Sequence, residues 1–173
     1  EALQLRKHLD TVFSQLPSVA KEEKTVFASI VIVGGGPSGV EVAGELGTLT
    51  ACLAKKYGVP ADLTSITLLE AAPRVLPSLL PQVSAQVEAR LRELGVNVFV
   101  NRVLEKQEGD TLHLQDMELR AKTVVWTAGV KPHALYGATA GLTFDPRGRV
   151  LVNERLQAVN YPNVYVVGDG AAV

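Results

Sequence analysis

The sequence predicts an α/β fold, a parallel β-sheet with crossover helices and a small antiparallel β insertion near its end. Three observations carry this. Short apolar runs at 29–33, 66–70 and 96–100 alternate with two longer stretches of helical periodicity. That order of strand, helix, strand, helix, strand is the pattern of right-handed βαβ crossovers. A glycine-rich turn, 34–39, stands directly between the first run and the first long helical stretch.

Taken in order, residues 1–15 place Leu3, Leu5, Leu9, Val12 and Phe13 at mixed three-and-four spacing, which suits an amphipathic helix. Pro17 and the charged run 21–24 read as a link. Residues 29–33 (SIVIV) are short, continuous and β-branched, the signature of a strand buried on both faces. Pro37 sits where a first helical position would be, and the helix is expected to run to about Tyr57, stopped by Gly58-Val59-Pro60. A second strand ends at Glu70, and Val83, Val87, Leu91 and Leu94 form an apolar stripe that closes at Gly95. After the third strand come short strands expected at 102–106, 111–115 and 118–121, the small antiparallel insertion, before 123–126 returns to the sheet. The turn at 144–149 and the strands at 150–152 and 164–167 change character, which puts a domain boundary near Gly141.

Composition narrows the function classes. The chain has 173 residues, 47% of them apolar and 20% charged, which argues for a packed globular core rather than disorder. A net charge of −1 without a Lys/Arg run removes the simplest nucleic-acid reading. No apolar run reaches the roughly 20 residues of a spanning helix. One cysteine, Cys52, excludes an internal disulfide, a CxxC pair and a cysteine zinc site, and His8, His113 and His133 have no metal-ligand spacing, so no metal is expected. The chain opens on Glu1 and stops just after an apolar strand, which points to a piece of a longer protein.

Residues 34–39 (GGGPSG) fit GxGxxG between a strand and a helix. Gly34 allows the tight turn, Gly36 lets a pyrophosphate approach the backbone, and Gly39 lets the helix pack on the sheet. Gly35, Pro37 and Ser38 complete the loop, whose N–H groups and helix dipole favour phosphate. Glu70, ending the next strand, suits the ribose hydroxyls; it lies further from the loop than the roughly 20 residues usual for this fingerprint. Its charge repels a 2′-phosphate, which favours NADH over NADPH, although Arg74 nearby could soften that preference. The expected domain is therefore Rossmann-type.

The runs 32–41 (IVGGGPSGVE), 68–77 (LLEAAPRVLP), 125–130 (VWTAGV) and 163–169 (NVYVVGD) resemble the two-dinucleotide-binding flavoprotein oxidoreductases, and within them the type II NADH dehydrogenases, single-chain NADH:quinone oxidoreductases. The resemblance implies that residues 28–140 are the NADH-binding domain, inserted in an FAD-binding domain. Residues 1–27 would be the link out of that domain and 141–173 the return into it. It implies NADH and, in the parent, FAD as cofactors and a quinone as acceptor, with no FAD retained by this piece. It further implies a cytoplasmic protein whose parent sits peripherally on the inner face of the cell membrane, and it allows a homodimer. A sibling reductase using ferredoxin, peroxide or a disulfide, and a stand-alone NAD(H) sensor, are the alternatives.

The resemblance puts Glu41 near the nicotinamide and flavin, as a catalytic residue; a plain helix-dipole acid is the other reading, with Glu45 four residues on. Ala128 and Gly129, at a strand's carboxyl end, leave room for the nicotinamide half. Asp169 matches the aspartate on the FAD ribitol. Ser38 either donates to the pyrophosphate or fills the helix start. Trp126 is expected in the core, Cys52 as an inert helix residue, and His113 facing solvent. Ala43, Gly44 and Gly47 extend a small-residue face along the helix after the loop.

Overall fold

The computed structural model describes residues 2–129 and 132–173; Glu1 and Val130, the last residue of the 125–130 run, lie outside them. By its contacts the chain forms two compact units, Glu1–Ala128 and Gly129–Val173.

The first unit is built on β1 (Ser29–Val33), β2 (Ser65–Leu69), β3 (Val96–Phe99) and β7 (Thr123–Trp126), in the order β3-β2-β1-β7 and all parallel. The two-residue period of a strand decides which side chains meet which layer. Ile30, Ile32, Ile66, Leu68, Val96 and Val98 join one core cluster with α1 (Ala2–Gln15), α3 (Pro37–Tyr57) and α4 (Pro81–Glu93). Val31, Val33 and Leu69 point the other way and pack with Leu112, Leu114 and Ala121. That second face is covered by an antiparallel sheet, β4 (Leu104–Glu108), β5 (Thr111–Leu114) and β6 (Glu118–Arg120), in place of a crossover helix. The insertion is as the sequence predicts, with its first strand two residues later than expected. A short helix, α2 (Lys24–Phe27), leads into β1.

The expected stop and start signals act where they stand. Gly36, extended at φ −71°, caps α3; Pro37 is its first residue, and Gly58 ends it in the left-handed region at φ 65°. Gly39 is where the helix touches the sheet: a Cβ there would sit 1.8 Å from the Gly34 carbonyl oxygen and 2.8 Å from Thr127 Oγ1. Gly47 likewise approaches the backbone of Leu94 after α4. Gly44, one residue after the buried Ala43, looks onto open space, because a step of one residue turns a helical position by about 100°.

Residues 1–27 pack within the first unit. Leu9, Phe13 and Leu16 are fully buried in the helix-side cluster and Val12 nearly so. Lys56 on α3 donates to Asp10 on α1 at 2.7 Å, and this pairing holds the Asp10 carboxyl below its ordinary value and the Lys56 ammonium above its own. The pair is exposed and screened by water, so apolar burial is what docks α1.

The second unit has α5 (Ala134–Ala138) and four short strands. β8 (Val150–Leu151) runs parallel to β11 (Ala171–Ala172), and β9 (Gln157–Ala158) pairs antiparallel with β10 (Tyr161–Tyr165). Val150, Val152, Ala158 and Val166 are its core. The strand expected at 164–167 lies at Tyr161–Tyr165, with Val166 buried just beyond it. The contacts divide the chain earlier than the expected boundary near Gly141. In the turn 145–149 the Asp145 carboxylate accepts from the N–H groups of Arg147 and Arg149 and from the Arg149 guanidinium. The Arg149 backbone N–H foremost holds this carboxyl below its ordinary value.

Two outcomes follow. Phe13→Ala lowers the unfolding free energy of the first unit by about 3–5 kcal/mol, read by urea titration; a loss below about 1 kcal/mol would mean that α1 is not part of this core. Because the folded state favours ionised Asp145, its contribution is present above the unfolded pKa and is lost as pH falls through the lower folded one. Asp145→Asn therefore lowers the melting temperature at neutral pH, and the difference from wild type closes in strong acid.

Candidate functional site

Strand order reverses at β1. The chain leaves β1 for β2 and β3 on one side and returns to β7 on the other. In open α/β sheets a crevice opens at the carboxyl ends of the strands at such a reversal, and this is where ligands bind. The loop 34–39 occupies that position.

The loop's first half is pinned on all sides. Gly34 N–H donates to the Leu69 carbonyl at 2.8 Å. Thr127 Oγ1 lies 2.9 Å from the carbonyl oxygens of both Val33 and Gly34, and Thr127 N–H also donates to Val33. Gly34 has φ +109°, and a Cβ there would meet the Ala128 backbone at 2.8 Å, so only glycine allows β1 and β7 to end together. Gly35 N–H donates to Glu70 Oε2 at 2.6 Å, while the Gly35 carbonyl accepts from Leu76 N–H at 2.7 Å. Glu70 Oε1 accepts from Ala72 N–H at 2.7 Å.

The second half is the opposite. No side chain caps α3, and no hydrogen bond among the described residues uses the N–H of Gly36, Ser38 or Gly39. Helix geometry leaves these first N–H groups without intrahelical acceptors. The space a Gly36 Cβ would fill is open to 4 Å, while Pro37 and Ser38 are exposed. Free donors, the positive end of a helix dipole and a backbone without side-chain cover are what a pyrophosphate needs. The loop therefore fits the dinucleotide that its sequence predicts.

Around it, Glu70 is half-buried at the end of β2. Arg74 Nη2 donates to the carbonyls of Pro77 and Leu79 at 2.6 and 3.0 Å, so its cation is engaged within its own loop. Glu41 is exposed on α3 just past its first turn, where a helix-dipole effect has largely faded, and it makes no hydrogen bond or ion pair among the described residues. Ala128 is half-buried beside Gly34, and Gly129, in the left-handed region at φ 76°, begins the second unit. Asp169 is exposed in a single helical turn, Gly168–Gly170.

One expectation is corrected here. Trp126 is not core but 60% exposed, since β7 is an edge strand and the ring lies at its end; its indole N–H donates to the Ala128 carbonyl at 2.6 Å. His113 lies on the face of β5 opposite the buried Leu112 and Leu114, as its alternation predicts, and is half-buried there, with Nδ1 2.9 Å from Glu118 and Nε2 3.2 Å from Glu108 across the neighbouring strands. His8 has Nε2 3.0 Å from Thr123 Oγ1. Cys52 is exposed on α3. Among the described residues no cluster of His, Cys, Asp or Glu could hold a metal ion, and no helix is long and apolar enough to cross a membrane. Sequence reasoning missed Leu76, whose backbone touches the loop at φ 49°; a leucine carries no pattern that announces this.

The family model described as pyridine nucleotide-disulphide oxidoreductase matches residues 4–173. The chain is 32% identical, over its whole length, to the type II NADH:quinone oxidoreductase Ndh of Mycobacterium tuberculosis, of which it covers 40%. It is 34% identical over 84% of its length to the type II NADH:quinone oxidoreductase of Haemophilus influenzae, covering 33% of that protein. The chain thus spans well under half of these relatives. Among solved structures, NDH2 of Plasmodium falciparum in complex with NADH superposes over 98% of this chain and 37% of its own, with a TM-score of 0.87 at 24% identity, a likeness of fold. Putidaredoxin reductase, in its covalent complex with putidaredoxin, matches 83% of this chain and 33% of its own, with a TM-score of 0.63 at 29% identity. With the family model spanning both units and the glycine loop at the strand reversal, the chain belongs to the pyridine nucleotide-disulphide oxidoreductase family.

Proposed function

We propose that the chain is the NADH-binding portion of a flavin-dependent NADH dehydrogenase that passes electrons to a quinone. The observation that carries it is the loop 34–39: pinned through Gly35, free at the N–H groups of Gly36, Ser38 and Gly39, and set beside Glu70. The quinone is supported by the names of the relatives, which are 31–34% identical to the chain. A protein acceptor is the second reading, favoured by the 29% identity to putidaredoxin reductase.

In this reading the free N–H groups hold the pyrophosphate, and Glu70 holds the adenosine ribose. Each of its oxygens accepts one backbone N–H and keeps a lone pair for a hydroxyl. The same charge repels a 2′-phosphate, while the Arg74 guanidinium is held within its own loop by the carbonyls of Pro77 and Leu79. Ala128 and Gly129 leave space for the nicotinamide half, and Glu41, uncommitted to any partner among the described residues, is the residue assigned near the reacting ring. When bound, NADH supplies a hydride that FAD accepts; the chain's residues orient the donor and exclude other geometries. Asp169 would hold the flavin ribitol in the longer protein. There residues 1–27 link out of an FAD-binding domain and residues 141–173 return into it. The whole protein works peripherally at the inner face of the cell membrane, and a homodimer is its assembly.

Calorimetric titration of this chain tests the reading: NADH binds at least tenfold more tightly than NADPH, and equal affinity or no binding of either removes the Glu70 assignment or the site. In the flavin-containing longer protein, Glu41→Gln slows flavin reduction by NADH about tenfold while the NADH Kd stays within about twofold; an unchanged stopped-flow rate removes the catalytic role.

A further inference from the structure

Both carboxylate oxygens of Glu70 accept from backbone donors, Oε2 from Gly35 N–H at 2.6 Å and Oε1 from Ala72 N–H at 2.7 Å. We infer that Glu70 is a positioning residue as well as a ribose ligand: its carboxylate latches Gly35 and so holds the glycine loop in its phosphate-binding shape in advance.

The geometry around Gly35 supports a latch rather than a chance contact. Gly35 is buried, so an N–H there without an acceptor would be costly to leave unpaired. The other side of the same residue is gripped too, since its carbonyl accepts from Leu76 N–H. Leu76 is in turn buried, held at φ 49°, with its own carbonyl 3.4 Å from Oγ of the buried Ser84 on α4. A chain of contacts thus runs from α4 through Leu76 to Gly35 and ends on Glu70. Gly35 must itself be glycine for this: a Cβ would lie 2.9 Å from both Cβ and Oε2 of Glu70. The backbone groups up to Gly35 are all tied down, and the N–H groups immediately after it are the free ones. A fixed Gly35 therefore sets the direction in which the free donors point. Preorganised donors bind without a further ordering cost, so losing the latch weakens phosphate binding even where the ribose contact is not involved.

The latch itself does not depend on the proposed cofactor; its effect on affinity rests on the NADH reading, and the two are read separately. Amide hydrogen exchange is measured by NMR on the nucleotide-free chain for wild type, Glu70→Ala and Glu70→Gln. In wild type the Gly35 amide is protected. In Glu70→Ala its exchange accelerates at least tenfold, as does that of Ala72, while Ile32 and Leu68 in the neighbouring strands stay within about twofold. Glu70→Gln keeps one acceptor oxygen and recovers part of the protection of one of the two amides. An unprotected Gly35 amide in wild type, or unchanged Gly35 exchange in Glu70→Ala, overturns the latch; should the alanine variant not fold, unchanged exchange of both Gly35 and Ala72 in Glu70→Gln overturns it instead. Titration with inorganic pyrophosphate, which has no ribose, then gives weaker binding to Glu70→Ala than to wild type even though a negative charge is removed, and equal or tighter binding overturns the preorganising role. Failure of wild type to bind NADH with the latch intact would count against the proposed function alone.

Discussion

The close approach of α3 to the sheet at Gly39 is the constraint on which the rest of the first unit depends. With the Gly34 carbonyl 1.8 Å from where a Cβ would be, helix and strand end are set against each other with no room for adjustment. The consequence runs in two directions. Towards the core, the seating of α3 lets Ala43 and Leu46 bury against β1 and β2 and brings Leu53 towards α1. Towards solvent, it aims the uncapped first turn of the helix at the crevice where strand order reverses. Packing and ligand chemistry thus rest on one contact, and neither can be altered without the other.

A parallel sheet buried on both faces needs two covering layers, and this chain supplies them from different materials. Helices cover one side, while the other is closed by the antiparallel strands β4–β6, which bring Leu112, Leu114 and Ala121 onto Val31, Val33 and Leu69. The turn that leaves β3 for this second layer is tied to the loop after β2, with Asn101 N–H donating to the Ala72 carbonyl and Arg102 N–H to the Glu70 carbonyl, both at 3.0 Å. The loop after β2 can then fold over the glycine turn, with Glu70 and Leu76 both reaching Gly35.

The elements most legible in the sequence were those with local causes. Pro37 and Gly58 bound α3, Gly95 ends the α4 stripe in the left-handed region, and the run 29–33 is buried at every position. The glycine spacing named the loop, and Glu70 stands beside it as its chemistry required. What was not legible depends on distant partners. Trp126 has an apolar neighbourhood in sequence, yet lies at the tip of an edge strand and is exposed. The first helix reads as amphipathic, but nothing local says that its apolar face lies against α3. Leu76 and Thr127 act through backbone and hydroxyl contacts to residues far along the chain, and such contacts leave no periodicity.

The Thr127 contact has a bearing on the order of assembly during synthesis. Its hydroxyl and N–H meet Val33 across 94 residues of chain, and β7 completes the sheet beside β1 only after the whole antiparallel insertion has been made. Closing so long a loop adds little entropy beyond a loop half as long, but it delays the contact until late in elongation. Until β7 emerges from the ribosome, β1 presents a bare hydrogen-bonding edge, and one wall of the glycine turn is missing. The nascent chain is therefore most open to mispairing over that interval, and cofactor capture has to wait for the last strand of the sheet.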